Sequence, residues 1–184
     1  MSPPFADHRE PLRIVLFGPE STGKTSLAFA LAEKLGEAWA TEYVRAFWDE
    51  HSGVIGTGDL DAVARGQMAN EDAATRCARR HVILDTDLLT CTVWDDLLFP
   101  GDCPLWVRIE AERRASETDL FLLCLTDIPF DPDPQRCFPD PEGRAMCMRV
   151  FRDTLSSRGL PFIEVGGPLE KRLATALSAV AALR

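Results

Sequence analysis

A chain of 184 residues, 46% hydrophobic and 27% charged, is long enough for one domain with a sizeable buried core. Its net charge of −9 excludes a sequence-independent nucleic-acid binder, which must offer phosphates a basic surface, but leaves room for a local basic pocket. Six cysteines without a C-x-x-C pair, and three scattered histidines (His8, His51, His81), argue against a zinc site and fit a reducing, cytoplasmic setting.

Residues 1–11 are polar and proline-containing and read as a flexible lead-in to a single domain over 12–184. Neither they nor any later stretch offers a signal peptide or the roughly 18 apolar residues of a membrane span, so no membrane partner is expected. Leu12–Phe17 is a near-continuous apolar run, the pattern of a parallel strand buried on both faces. A glycine-containing loop follows at 18–25. Then Leu27, Leu31 and Leu35 repeat at helical spacing until Gly36 stops the helix. Residues 39–41 predict a second strand and 53–58 a loop. Residues 59–79 predict a long helix with Asp59 as N-cap. Leu60, Val63, Ala64 and Ala74 mark its inner face, and Gln67 and Glu71 fall on the same stripe. Residues 82–84 predict a third strand running into Asp85-Thr86-Asp87. Helices are expected at 88–98 and 106–114, a fourth strand at 120–125, and a proline-rich loop at 127–144. A helix at 146–157, a fifth strand at 162–165 and an amphipathic helix through Leu173, Ala176, Leu177, Val180 and Leu183 complete the chain.

Gly18-Pro19-Glu20-Ser21-Thr22-Gly23-Lys24-Thr25 matches G-x-x-x-x-G-K-[ST] in full, between a buried strand and an amphipathic helix. The glycines let successive backbone N–H groups point at an anion, and the helix N-terminus adds positive partial charge. Lys24 supplies a charge for the β- and γ-phosphates, and the Thr25 hydroxyl a ligand for Mg²⁺. Strands alternating with helices around this motif predict an α/β, P-loop NTPase-type three-layer fold with a five-stranded parallel sheet. The expected nucleotide-binding set is Gly18, Glu20, Ser21, Thr22, Gly23, Lys24, Thr25 and Ser26.

Around the motif lie residues with two readings each. Asp85 is placed for a second magnesium contact, directly or through water, or for capping the next helix. Asp87 either is that cap or points into the cleft. Glu42 follows the second strand, at the edge where open α/β sheets bind ligands. It is a candidate acceptor of a hydroxyl proton, or a surface partner of Arg45. Gln67 and Glu71 bind a sugar or base, or lie at a solvated helix edge. Trp94 stacks on a heterocycle or packs in the core. The loop 127–144 is a lid whose Arg136, ahead of Arg144, reaches a transferring phosphoryl group, or a stiff surface loop. Gly166-Gly167-Pro168 wraps a base or turns the chain.

Taken with the P-loop, Glu42-Tyr43-Val44-Arg45, Gln67, Asp85-Thr86-Asp87 with Leu89-Thr90, Trp94 and Leu160-Pro161-Phe162-Ile163-Glu164-Val165 occur in one order over residues 12–180. In these pieces the chain resembles the nicotinamide riboside kinase domain of NadR, a P-loop kinase family. The resemblance implies ATP- and Mg²⁺-dependent phosphorylation of the 5′-hydroxyl of a small-molecule nucleoside. It favours Glu42 and Asp87 at the acceptor and Asp85 on the metal side. Together with the readings above, the expected catalytic residues are Lys24, Glu42 or Asp87, and Arg136; the metal ligands are Thr25 and Asp85; and Glu42, Tyr43, Arg45, Gln67, Asp87 and Trp94 surround the acceptor. The family's lid carries Trp-Val-Asp-Asp-Gly-x-Arg; here Phe130-Asp131-Pro132-Asp133-Pro134-Gln135-Arg136 stands instead, a departure that bears on substrate more than on reaction. No H-x-G-H is present, so the chain alone is not expected to complete NAD synthesis. The rival readings are a P-loop ATPase or switch acting through a protein partner, and a kinase for another nucleoside. A GTPase is disfavoured by the lack of N-K-x-D.

Overall fold

The computed structural model describes residues 10–183, so most of the expected lead-in lies outside the described residues. Five parallel strands, β1 (Leu12–Phe17), β2 (Ala38–Ala40), β3 (His81–Asp85), β4 (Leu120–Cys124) and β5 (Phe162–Val165), form one sheet in the order β2-β3-β1-β4-β5. Seven α-helices, α1 (Lys24–Leu35), α2 (Tyr43–Glu50), α3 (Leu60–Cys77), α4 (Leu88–Leu98), α5 (Leu105–Ser116), α6 (Pro141–Ser157) and α7 (Leu169–Ala182), connect and cover it. The α/β fold with a five-stranded parallel sheet is as expected.

The period-two alternation of the strands divides the core in two. Ile14, Leu16, Ile83, Leu120, Leu122 and Cys124 pack under α1 and α7. Val15, Phe17, Val82, Leu84, Phe121 and Leu123 face the other layer, where α3 to α6 contribute Ala64, Val93, Val107 and Phe151. Phe17 meets the edges of Phe121 and Phe151 at ring separations of 5.5 and 5.0 Å. Each such fully buried side chain contributes about 1.5–3 kcal/mol, and the apolar runs were legible because both faces of these strands are covered.

Register sets the site. Leu16 pairs with Asp85, and Phe17 with Leu123. The loop after β1, the acidic end of β3 and the end of β4 therefore emerge side by side on one sheet edge. The chain also crosses from one side of β1 to the other here, the position where open α/β sheets bind ligands.

Three local expectations need correction. The helix α2 was not foreseen, because its apolar residues Tyr43, Val44, Phe47 and Trp48 span too few turns to show a period. Asp59 occupies the N-cap position of α3 as expected, but its carboxylate makes no cap bond there and accepts instead from the Gly56 N–H, beside the 3-10 turn at Thr57–Asp59. Helix α6 starts five residues before the expected 146, at Pro141, because Asp140 caps it and proline suits its first turn. Arg144 thus stands in a helix, not in the lid loop.

Candidate active site

The phosphate loop is shaped by backbone angles. Gly18 and Gly23 have φ of +138° and +73°, conformations that favour glycine. A Cβ at Gly18 would also lie 2.8 Å from the Cys124 carbonyl oxygen. Ser21 adopts a left-handed φ of +53°. Gly23 is the N-cap of α1, so the unpaired N–H groups of the helix's first turn face the loop. The buried Lys24 Nζ donates to Gly18 O and Pro19 O at 3.0 and 2.8 Å, and Thr22 Oγ1 to Pro19 O at 2.7 Å. Ser26 lies exposed in the same turn.

Asp85 closes this side. Its carboxyl is only 1% exposed. Burial lifts it to about 6, against the opposing pull of the nearby Thr25 hydroxyl and of Lys24. One of its oxygens, Oδ1, is buried without a hydrogen-bond partner. The helix-capping alternative falls away, since Asp87 is the N-cap of α4. A buried orphan oxygen beside the Thr25 hydroxyl is a donor pair for a hard cation. No cluster of three His, Cys, Asp or Glu that would hold a metal occurs among the described residues. The pair therefore suits Mg²⁺, which keeps waters and takes its other ligands from phosphates.

The starts of α2 and α4 carry the other expected carboxylates. Glu42 occupies the N-cap position of α2, and its Oε2 accepts from Arg45 Nε at 3.2 Å. Its negative charge is felt by Asp85. Arg45 also reaches the lid, 3.4 Å from Asp133 Oδ2. Asp87 Oδ1 accepts from Thr90 N and Thr90 Oγ1 at 2.9 and 2.8 Å. Burial first, then the Glu71 charge, raises Asp87 to about 7. Thr86, between the two aspartates, has a left-handed φ of +69°, which turns the chain from strand to helix.

Two expected ligand contacts are different in kind. Gln67 is 1% exposed and does not present its amide to the cleft; it accepts from the Tyr43 N–H at 3.0 Å and donates toward Glu71 and Thr86 O. Glu71 is wholly buried between Arg13 and Arg114, so neither lies at a solvated helix edge. The reason is chain topology: α3 packs on β2 and β3, which turns this stripe inward. Trp94 is partly buried, edge-on to Phe151 at 5.6 Å and stacked on the lid's Phe138 at 6.3 Å.

The lid is docked on the phosphate loop. Ser21 Oγ accepts from the Asp131 N–H at 2.8 Å, and Glu20 Oε1 from the Phe138 N–H at 2.6 Å. Glu20 and Ser21 thus hold the lid as well as lining the loop. Arg136 lies at 3.5 Å from Ser21 Oγ and pairs with Asp131. Its Nε is buried without a partner, which leaves a cationic donor beside the phosphate loop. Arg144 spends NH2 on Thr126 O and Ile128 O at the base of the lid, and its NH1 is likewise buried without a partner.

Two contributors escaped sequence reasoning. Arg172 is buried and donates to Thr22 O, Leu125 O and Gly167 O while pairing with Asp127. It ties the phosphate loop to the Gly166-Gly167 turn, whose Gly167 N–H donates to Asp127 at 2.6 Å. Gly66 in mid-α3 lies directly under the Tyr43 ring, where any Cβ would overlap it. A glycine inside a helical pattern was the available signal.

Solved structures share this architecture. NadR in complex with NR superposes with a TM-score of 0.76 at 19% identity, over 95% of this chain and 51% of that one. This chain therefore spans about half the length of NadR. Deoxyadenosine kinase from M. mycoides with bound dATP follows at 0.64 and 11%, covering 93% and 100% of the two chains. Thymidylate kinase from Candida albicans gives 0.61 and 12%, covering 94% and 92%. At such identities the likeness establishes the fold. No curated protein matches in sequence. A family model described as the AAA domain matches residues 13–172, from β1 through the phosphate loop and lid to the Arg172 that braces them, and the chain belongs to that family.

Proposed function

We propose that the protein is an ATP-dependent small-molecule kinase that phosphorylates the 5′-hydroxyl of a nucleoside, with nicotinamide riboside as the acceptor and nicotinamide mononucleotide as the product. The observation that carries this reading is what the fold gathers at one sheet edge: the phosphate loop with Lys24 and Thr25, the end of β3 at Asp85, and the helix starts that carry Glu42 and Asp87. A lid docks on the loop, with Arg136 3.5 Å from Ser21 Oγ. A switch or ATPase needs no such second set of carboxylates.

Lys24 and the α1 amides hold the β- and γ-phosphates. Thr25 and Asp85 would hold Mg²⁺, which would supply positive charge to the transferring group. Glu42 or Asp87 accepts the hydroxyl proton: each keeps one carboxylate oxygen, Glu42 Oε1 and Asp87 Oδ2, to which no described residue donates. Glu42 and Tyr43 line the acceptor pocket. Arg136 stabilises the charge that spreads over the transferring phosphoryl oxygens, and the lid excludes water. Positioning and charge account for most of the rate.

Three features support the acceptor's class. Arg45, the arginine at the start of α2, is already committed to Glu42 and Asp133, which disfavours a nucleoside monophosphate. The Glu42 and Asp87 carboxylates suit a cationic ring. Structures of similar fold include NadR with NR and a deoxyadenosine kinase. A cytoplasmic setting fits the six free thiols, and no described helix is long and apolar enough to cross a membrane.

The test is incubation with ATP, Mg²⁺ and a panel of nicotinamide riboside, common nucleosides and their monophosphates, read by mass spectrometry. One added phosphate on nicotinamide riboside alone is the expected result. A product on another nucleoside replaces the substrate and keeps the chemistry, while slow ATP loss with no acceptor product overturns the kinase reading.

A further inference from the structure

A continuous buried hydrogen-bond chain joins the two helix starts that carry Glu42 and Asp87. It begins at the Tyr43 N–H, adjacent to Glu42, which donates to Gln67 Oε1 at 3.0 Å. Gln67 Nε2 donates to Glu71 Oε1 at 3.4 Å and to Thr86 O at 3.5 Å. Glu71 Oε1 in turn accepts from the Leu88 N–H at 2.9 Å, adjacent to Asp87. Glu71 Oε2 accepts from Arg13 NH2 at 3.0 Å and Arg114 NH1 at 3.1 Å. One turn of α3 therefore addresses the start of α2, the β3–α4 turn, the start of α4, the strand that leads into the phosphate loop, and α5.

The choice of atoms is informative. Tyr43 and Leu88 are each the first residue of a helix, and first-turn N–H groups have no partner within their own helix. Here each is fixed by a buried side chain of α3. Thr86, held in a left-handed conformation that costs energy, has its N–H bonded to Leu16 O at 3.2 Å and its carbonyl engaged by Gln67. A fully buried, charged Glu71 is also an expensive way to hold a sheet that apolar residues hold everywhere else. What the network adds is a fixed geometry between α2 and α4.

We infer that Gln67 and Glu71 are positioning residues that set the separation of Glu42 and Asp87, and with it the placement of the acceptor hydroxyl. The inference rests on the kinase reading above. Neither side chain touches substrate.

Two measurements test it. In the wild-type protein, amide hydrogen exchange by NMR should show Tyr43 and Leu88 protected on the order of tenfold or more beyond Val44, another first-turn amide. Equal exchange of the three overturns the network. Steady-state kinetics of Gln67→Met, which keeps volume and removes the bonds, should then show kcat/KM for the acceptor falling on the order of tenfold or more while the KM for ATP stays within about twofold. A folded Gln67→Met with unchanged acceptor constants overturns the positioning role alone. A wild-type protein that phosphorylates no nucleoside overturns the kinase reading, and the inference with it.

Discussion

Replacing Asp85 with asparagine should abolish turnover and yet stabilise the protein at pH 8. The carboxyl is 1% exposed, and burial carries it from an ordinary 3.8 to about 6. At 1.36 kcal/mol per pH unit, holding it ionised in the folded state costs about 3 kcal/mol. Because the folded value is the higher one, the cost is absent below about pH 4, grows as pH rises toward 6, and is constant above that. The asparagine side chain never ionises, so the Asp85→Asn gain should be near zero at pH 4 and about 3 kcal/mol at pH 8. For a chain of this size that is a rise in Tm of roughly 6–12 °C. Thermal and urea unfolding of both proteins at the two pH values, with a chelator present, measure the difference. Adding ATP and Mg²⁺ should then close the gap, because wild type binds them and the variant binds them weakly. An asparagine variant no more stable than wild type at pH 8 would refute the view that Asp85 is held charged and under-satisfied for the sake of a cation.

Lys24→Ala should lower kcat/KM by on the order of 10²–10³-fold with the circular dichroism spectrum unchanged; near-normal turnover would remove the phosphate-site assignment. Gly66→Ala should destabilise by about 1–3 kcal/mol, although alanine is the better helix former by roughly 1 kcal/mol, because the Tyr43 ring occupies the methyl's place. It should raise the acceptor KM and spare that for ATP, and a stabilised variant would contradict the packing described. Glu20→Ala removes the 2.6 Å bond from the Phe138 N–H. A hydrogen bond to a charged group contributes about 1.5–3 kcal/mol, so trypsin should cut after Arg136 on the order of ten times faster. An unchanged cleavage rate would mean the lid is held elsewhere.

The parts legible in advance were those whose chemistry is local. The phosphate loop requires its residue types at consecutive positions, and β1 and β4 announce themselves because both faces are buried. Asp85 followed from its place at the end of an apolar run. What stayed hidden depends on distant partners. Glu71 meets Arg13 and Arg114 across 58 and 43 residues, a spacing to which no periodicity responds, so a buried bridge looked like a ligand or a wet helix edge. Arg172 shows the same thing, since its bond to Thr22 O spans 150 residues. Helix α2 was lost to brevity, and the start of α6 to counting Pro141 as one more loop proline. Trp94 was left between core and cleft, and the lid's Phe138 accounts for the ambiguity by covering one of its faces.

The docking of the lid has a thermodynamic corollary. Ser21 belongs to the loop proposed to cradle phosphate, and its hydroxyl accepts from the Asp131 N–H, so on that proposal one residue takes part in two equilibria. Linkage then requires reciprocity: if lid undocking changes nucleotide affinity by some factor, nucleotide must change the undocking equilibrium by the same factor. The loop acts as a transducer as well as a receptacle. Where that coupling holds, substitutions far out on the lid that shift its docking will register in nucleotide affinity.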